Sequence, residues 1–364
     1  MENLKQLEII PEKSRAIVEE GLSAILKRRR LGGYNLDYIQ IENFLSGGKT
    51  GAIVFAASFG LKEKSLEGKY YRVLKIALGN ICRNEKAGAD LNEKLQLDTF
   101  SNLTYSSEDD FLFENPKTGE KENYGVLLYQ DIGIASENKL QNFYSALSEA
   151  MNNPNMGKAK RLCLNLSSQL QKEIFSGLKR SLYKLLKEEK VNLSEYYGDK
   201  FSRKVLEGIT ELQKIDSTIP DPKYLKSIFD ETSIYHSVSY IHGDLHPENL
   251  LIWKLDDLSY RSKLIDFGEV IPKRMERFTP LFWDFSRLLG EVILNFIEDE
   301  LNLSKPHDKN IDFLKSIDGS LNRLWFIFDS IFSGDFNKLE NVDFKFQLLG
   351  NIYFNTLFSF LYES

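Results

Sequence analysis

Between Tyr240 and Gly268 three oxygen-bearing side chains stand where phosphate chemistry could use them. The stretch reads Tyr-Ile-His-Gly-Asp-Leu-His-Pro-Glu-Asn-Leu-Leu-Ile-Trp and, after a polar segment, Lys-Leu-Ile-Asp-Phe-Gly, so the three are Asp244, Asn249 and Asp266. Leu250 to Trp253 follow Asn249, and Leu264 and Ile265 precede Asp266; both runs predict short buried strands joined by a turn rich in Asp, Ser and Lys. If the strands pair as a hairpin, Asn249 and Asp266 converge on one point. An amide and a carboxylate there, with a third oxygen ligand nearby, suit a magnesium ion that keeps some water and completes its shell with phosphate.

The elements that must hold these groups follow from periodicity. Residues 12–31 carry Ile17, Val18, Leu22, Ile25 and Leu26 at helical spacing behind Pro11. That helix ends in Lys27-Arg28-Arg29-Arg30, either a solvated last turn complementing the helix dipole or an anion or partner contact. Tyr38 to Leu45, Ala52 to Phe59 and Tyr70 to Ile76 predict a three-strand antiparallel meander. Its first turn, Ser46-Gly47-Gly48-Lys49-Thr50-Gly51, lets backbone N–H groups approach phosphate oxygens closely. Gly48-Lys49-Thr50 invites a P-loop reading, but the first glycine of that pattern would fall on Asn43, and strand-like residues follow where a helix belongs.

A helix over residues 80–97, strands at Phe111–Glu114 and Tyr124–Tyr129, and a largely helical stretch over 137–236 come next. The stretch includes a helical period from Leu164 to Leu186 and scattered acids such as Glu149, Glu195, Asp199 and Asp216. Further helices open at Trp283 and cover residues 311–332 and 344–361. Their aromatic stripes are core.

His242-x-Asp244 with Asn249, followed by Asp266-Phe267-Gly268, resembles the catalytic loop and metal signature of the protein-kinase-like fold. The wording His-Gly-Asp-Leu-His-Pro-x-Asn is similar to the aminoglycoside phosphotransferase and choline kinase branch. Gly243 and His246 stand where eukaryotic-type protein kinases carry Arg and Lys. The resemblance covers residues 38–294. It implies an α+β, bilobal protein-kinase-like fold: an N-lobe antiparallel sheet with one main helix, and a larger, mostly helical C-lobe. The expected divisions are 1–36 as an N-terminal helical extension, 37–131 as the nucleotide-binding N-lobe, and 132–364 as the C-lobe with catalytic loop and metal site.

The resemblance also implies roles. Asp244 is the catalytic carboxylate, and Asn249 and Asp266 hold Mg²⁺ against the phosphates of ATP. Lys75, in a run that resembles the Val-Ala-Ile-Lys strand, supports the α- and β-phosphates; Glu85, ahead of Glu93 as runner-up, positions it. Ser46, Gly48, Gly51 and Ile53 occupy the places of Gly-x-Gly-x-x-Gly-x-Val, with Ser46 replacing the first glycine. The carbonyl of Gln130 and amide of Ile132 read the adenine edge, with Tyr129 at the back of the pocket. Asp284 accepts hydrogen bonds from the catalytic-loop backbone. A transition-metal site built from His242 and His246 would leave the glycine-rich loop and Lys75 unexplained.

Composition narrows the classes. With 47 basic against 53 acidic side chains there is no basic excess for a DNA footprint. Two cysteines, Cys82 and Cys163, make no disulfide framework, and no apolar run is long enough for a membrane helix; a cytoplasmic enzyme is expected. The expected function is an ATP- and Mg-dependent phosphotransferase acting on a hydroxyl of a small molecule such as an aminoglycoside, amino alcohol or sugar. The alternatives are a kinase or nucleotidyl-transferring enzyme modifying a protein or RNA partner, and a catalytically silent nucleotide-binding scaffold. The absence of Arg before Asp244 and of Ala-Pro-Glu after Asp266 argues against an activation-loop-regulated protein kinase.

Overall fold

The structure, a computed structural model, describes residues 4–303 except 29, 32–33, 47–50, 62–69, 96–100, 115–118, 130–139, 176–185, 193–202, 216, 232, 238–241, 257–258, 267–278 and 281–282. The helices expected over 311–332 and 344–361 lie outside the described residues. Two compact units divide the chain: Met1–Gln169 with Glu248–Ile271, and Leu170–Pro247 with Pro272–Ser364.

The first unit is built on an antiparallel sheet. Helix α1 (Glu12–Arg28) precedes the meander β1 (Tyr34–Ser46), β2 (Ile53–Leu61) and β3 (Tyr70–Leu78). Helix α2 (Gly79–Leu95) follows, then β4 (Leu103–Ser106), β5 (Phe111–Glu114) and β6 (Lys121–Tyr129). Strand order is β1–β2–β3–β6, with β4 and β5 both pairing with β6. The strand β4 was not anticipated; its run Leu-Thr-Tyr-Ser is short and only partly buried.

Period-two alternation assigns the two faces. Ile39 and Ile41, Phe55 and Ala57, Leu74 and Ile76, and Val126 and Leu128 point to one face, which Val18, Leu22 and Ile25 of α1 cover. Residue 75 therefore faces the other way, toward a smaller cluster in which Ala77, Leu127 and Cys82 of α2 pack together. Close packing fixes Gly125 on β6, where a Cβ would stand 2.0 Å from the Ser107 carbonyl oxygen.

One residue of the basic end of α1, Arg28, pairs inside this unit. Arg28 Nη1 lies 2.5 Å from Asp110 Oδ1, and the Asp110 side chain is 1% exposed. Asp110 also accepts from the Tyr105 hydroxyl at 2.7 Å and the Val126 amide at 2.8 Å. Of the two uses read from sequence, neither describes Arg28: it neutralises a buried carboxylate that anchors the sheet's far edge.

Helices α3 (Phe143–Met151) and α4 (Met156–Gln169) complete the first segment of this unit. Of the helix expected from Leu164 to Leu186, α4 gives the first turns, a π-helical turn occupies Leu170–Phe175, residues 176–185 lie outside the described residues, and Leu186 opens strand β7 (Leu186–Asn192), which belongs to the second unit. That unit continues with α5 (Arg203–Ile215), α6 (Pro222–Glu231) and β8 (Ser233–Ser237), the last pairing antiparallel with β7. The stretch over 137–236 thus includes strand as well as helix, because the backbone of Lys190 and Val191 pairs with that of Tyr235 and Ile234.

The chain then returns to the first unit through β9 (Leu250–Lys254) and β10 (Tyr260–Leu264), the expected hairpin, paired Leu250 to Leu264 through Lys254 to Tyr260. Helix α7 (Trp283–Leu303) belongs to the second unit. Among the described residues no helix is long and apolar enough to cross a membrane.

Leu22 is fully buried in the α1–sheet core. Leu22→Ala is expected to cost about 3 kcal/mol of unfolding free energy, the middle of the range for buried leucines. Urea denaturation checks it, and a loss below about 1 kcal/mol would remove α1 from the cooperative core.

Candidate active site

Strand β3 delivers Lys75 to the sheet face opposite α1, and α2 returns over that face so that Glu85 lies two turns into the helix. Lys75 Nζ stands 2.7 Å from Glu85 Oε2 and 2.5 Å from Asp266 Oδ2. Lys75 and Glu85 are 1% and 0% exposed at the side chain, Asp266 25%. Tyr129, at the end of β6 on the same face, donates its hydroxyl to Glu85 Oε1 and accepts the Asp266 amide at 3.3 Å. Strands β3 and β6, helix α2 and the end of β10 thus meet at one buried polar knot.

Its electrostatics are lopsided. Burial would push the Lys75 ammonium down, but Glu85 and Asp266 outweigh that and hold it above its ordinary value. Burial, and then the charge of Asp266, push the Glu85 carboxyl up to about 7, against the pull of Lys75 and Tyr129. Tyr129 is raised well above its ordinary value by burial and by the same two carboxylates. The ammonium stays charged; two carboxylates share it, and the cluster is short of positive charge.

The hairpin brings the two expected oxygen ligands to that place. Beyond the last ladder pair, Leu250 with Leu264, the Ile265 amide donates to the Asn249 carbonyl at 3.0 Å. Asn249 is 5% exposed, at the end of the 3₁₀ turn Pro247–Asn249. Asp266 sits one residue past the pairing with φ of 66°, left-handed backbone that non-glycine residues adopt at a cost of about 1–3 kcal/mol. A hard divalent cation fits this donor set, an amide and a carboxylate, and would supply the positive charge the knot lacks. Among the described residues no group of three or more His, Cys, Asp or Glu is arranged to hold a metal by itself.

In the second unit the loop from His242 is fastened by α7. Asp284, fully buried in the helix's first turn, accepts the His242 amide at Oδ2 and the Gly243 amide at Oδ1, each at 2.9 Å. Gly243 has φ of 84°, so glycine suits this position. With two successive amides clamped, Asp244 emerges partly exposed. Its Oδ1 lies 2.6 Å from Arg287 Nη2, and its Oδ2 lies 3.7 Å from His246 Nε2.

Of the remaining sequence candidates, Gly51 is exposed with φ of 77° at the start of the turn into β2, and Ile53 is buried at 2%. Ser46 ends β1, paired with Val54. Gly48, Gln130, Ile132, Phe267 and Gly268 lie outside the described residues, as do Glu195, Asp199 and Asp216. Glu85 rather than Glu93 is the residue found against Lys75. Two features escaped sequence reasoning. Tyr129 was expected only to line a pocket, whereas it ties Glu85 to Asp266; a tyrosine on the same strand face as Lys75 was the available signal. Arg287 had no assigned role, although its place three residues after Asp284 puts it on the same helix face.

No family model matches the chain, and no curated protein matches it. Among solved structures the chain is similar to a glucosamine kinase, at 11% identity and a TM-score of 0.38 over 96% of this chain and 94% of that one. It is also similar to an amicoumacin kinase in complex with AMP-PNP and Ca²⁺, at 13% identity and 0.37 over 97% and 87%. A third is a spectinomycin phosphotransferase in complex with ADP and spectinomycin, at 12% identity and 0.32 over 91% and 94%.

Removing one partner of a buried ion pair leaves the other uncompensated. Lys75→Met is expected to destabilise the chain by about 3–5 kcal/mol, and the double variant Lys75→Met/Glu85→Leu by distinctly less. Parallel urea and thermal unfolding of both variants checks this ordering.

Proposed function

We propose that the chain is an ATP- and Mg²⁺-dependent phosphotransferase that phosphorylates a hydroxyl group of a small molecule. The observation that carries this reading is the knot itself: one buried ammonium shared by two carboxylates, with Asn249 and Asp266 at the foot of one hairpin. A site that has to bind a triphosphate needs fixed positive charge and a seat for a hard cation, and little covalent help.

The roles follow from chemistry. Asn249 and Asp266 would hold Mg²⁺, which neutralises charge on the β- and γ-phosphates when bound. Lys75 supports the α- and β-phosphates; Glu85, itself held by Tyr129, keeps the ammonium pointed and desolvated. The Ser46–Gly51 turn covers the phosphates with backbone amides, and the carbonyl of Gln130 and amide of Ile132 read the base. Asp244 orients the acceptor hydroxyl and receives its proton as the phosphoryl group moves. The absence of Arg before Asp244 and of Ala-Pro-Glu after Asp266 favours a small-molecule acceptor over a protein.

Purified protein should consume ATP when pooled small-molecule alcohols are supplied, and only with Mg²⁺. Asp266→Ala should abolish Mg-dependent turnover. Asp244→Asn should abolish transfer yet keep Mg·ADP affinity within about twofold, because it acts on the acceptor rather than the nucleotide. Labelled-ATP transfer assays and calorimetry read both; full transfer by either variant would remove the role assigned to it.

A further inference from the structure

Helix α7 does two things for the loop that carries Asp244, and only one of them is fastening. Asp284 holds the backbone of His242 and Gly243. One turn later Arg287 reaches the side chain of Asp244 itself, Nη2 to Oδ1 at 2.6 Å. Both ends of this contact are only partly exposed, 22% for Arg287 and 32% for Asp244.

We infer that Arg287 is a positioning residue for the phosphoryl-transfer step: its guanidinium fixes the Oδ1 oxygen of Asp244 and thereby sets the rotamer in which the carboxylate meets the acceptor hydroxyl. This rests on the phosphotransferase reading above. An aspartate has two equivalent oxygens and a soft, roughly two-fold χ2, so a carboxylate on a loop does not by itself choose one orientation. A planar, permanently charged guanidinium on a helix whose first turn is already bonded to that loop does choose it. Among the described residues, Arg287 from α7 and His246 from its own loop stand against the Asp244 carboxylate, and Asp284 is bonded to the two amides.

The test uses the full chain, with Mg·ATP and water as the acceptor where no alcohol substrate is in hand. Arg287→Met should lower kcat at least tenfold while KM for ATP stays within about twofold. Arg287→Lys should restore only part of kcat, since charge returns without the planar fork. The loss in kcat should persist in a His246→Gln background, which separates the arginine from the histidine. Wild-type kcat in Arg287→Met would overturn the inference, as would a loss confined to KM or to thermal stability. Failure of the wild-type chain to bind Mg·ADP would instead overturn the phosphotransferase reading. In that case additive Tm losses for Arg287→Met and Asp244→Asn would overturn the ion pair as well, and non-additive losses would sustain it.

Discussion

One buried ammonium shared by two carboxylates is the constraint around which the first unit is arranged. Taking Lys75, Glu85 and most of Asp266 out of water is costly, and only close, multiply hydrogen-bonded geometry offsets that cost. Four separate elements must therefore arrive together. Strand β3 must be in register so that residue 75 faces away from α1; α2 must carry Glu85 over the sheet. The tip of β6 must place Tyr129 between them, and the β9–β10 hairpin must end one residue short of Asp266. A slip of one residue in β3 would exchange Lys75 with Leu74 or Ile76 and put a charge into the α1 core. The hydrophobic face and the polar knot thus enforce the same register from opposite sides of one sheet.

The second unit solves a related problem by different means. Its loop carries Asp244, which is partly exposed, so burial cannot hold it. Instead a fully buried carboxylate, Asp284, takes two consecutive amides. The left-handed glycine between His242 and Asp244 lets the backbone turn to present both. Because Asp284 stands in the first turn of α7, its negative charge also lies at the favourable end of the helix dipole. Arg287 then reaches the Asp244 side chain directly. Helical spacing of three residues is what allows one helix to hold the backbone and the carboxylate of the same loop.

Several buried polar groups in the cores are tied to named partners. Asp110 is an instance far from the chemistry: Arg28, Tyr105 and the Val126 amide surround it, linking the end of α1 to strands β4 to β6. That explains why α1 belongs to the sheet's own core, with Val18, Leu22 and Ile25 inside it.

Much of this was legible in the linear chain. The meander, the α2 helix, the β9–β10 hairpin and the start of α7 all carry periodic apolar patterns, and local patterns are read locally. So were the chemical residue types: Lys75 at the end of a β-branched run, Asn249 and Asp266 flanking two apolar strands, Asp244 in a loop that resembles a known one. What the chain could not declare were the choices made across distance. Leu186 closes a helical period yet pairs as strand, because an edge far along the sequence offers it a ladder. Arg28 looked like a solvated helix end until a buried carboxylate 82 residues away claimed it. Glu85 was the first choice over Glu93 but spacing could not settle it, and only the folded chain shows Glu85 against Lys75. Sequence determines which groups exist and the period on which they repeat; ion pairs between distant elements are decided by packing, since desolvation and direction act only once the chain has closed around them.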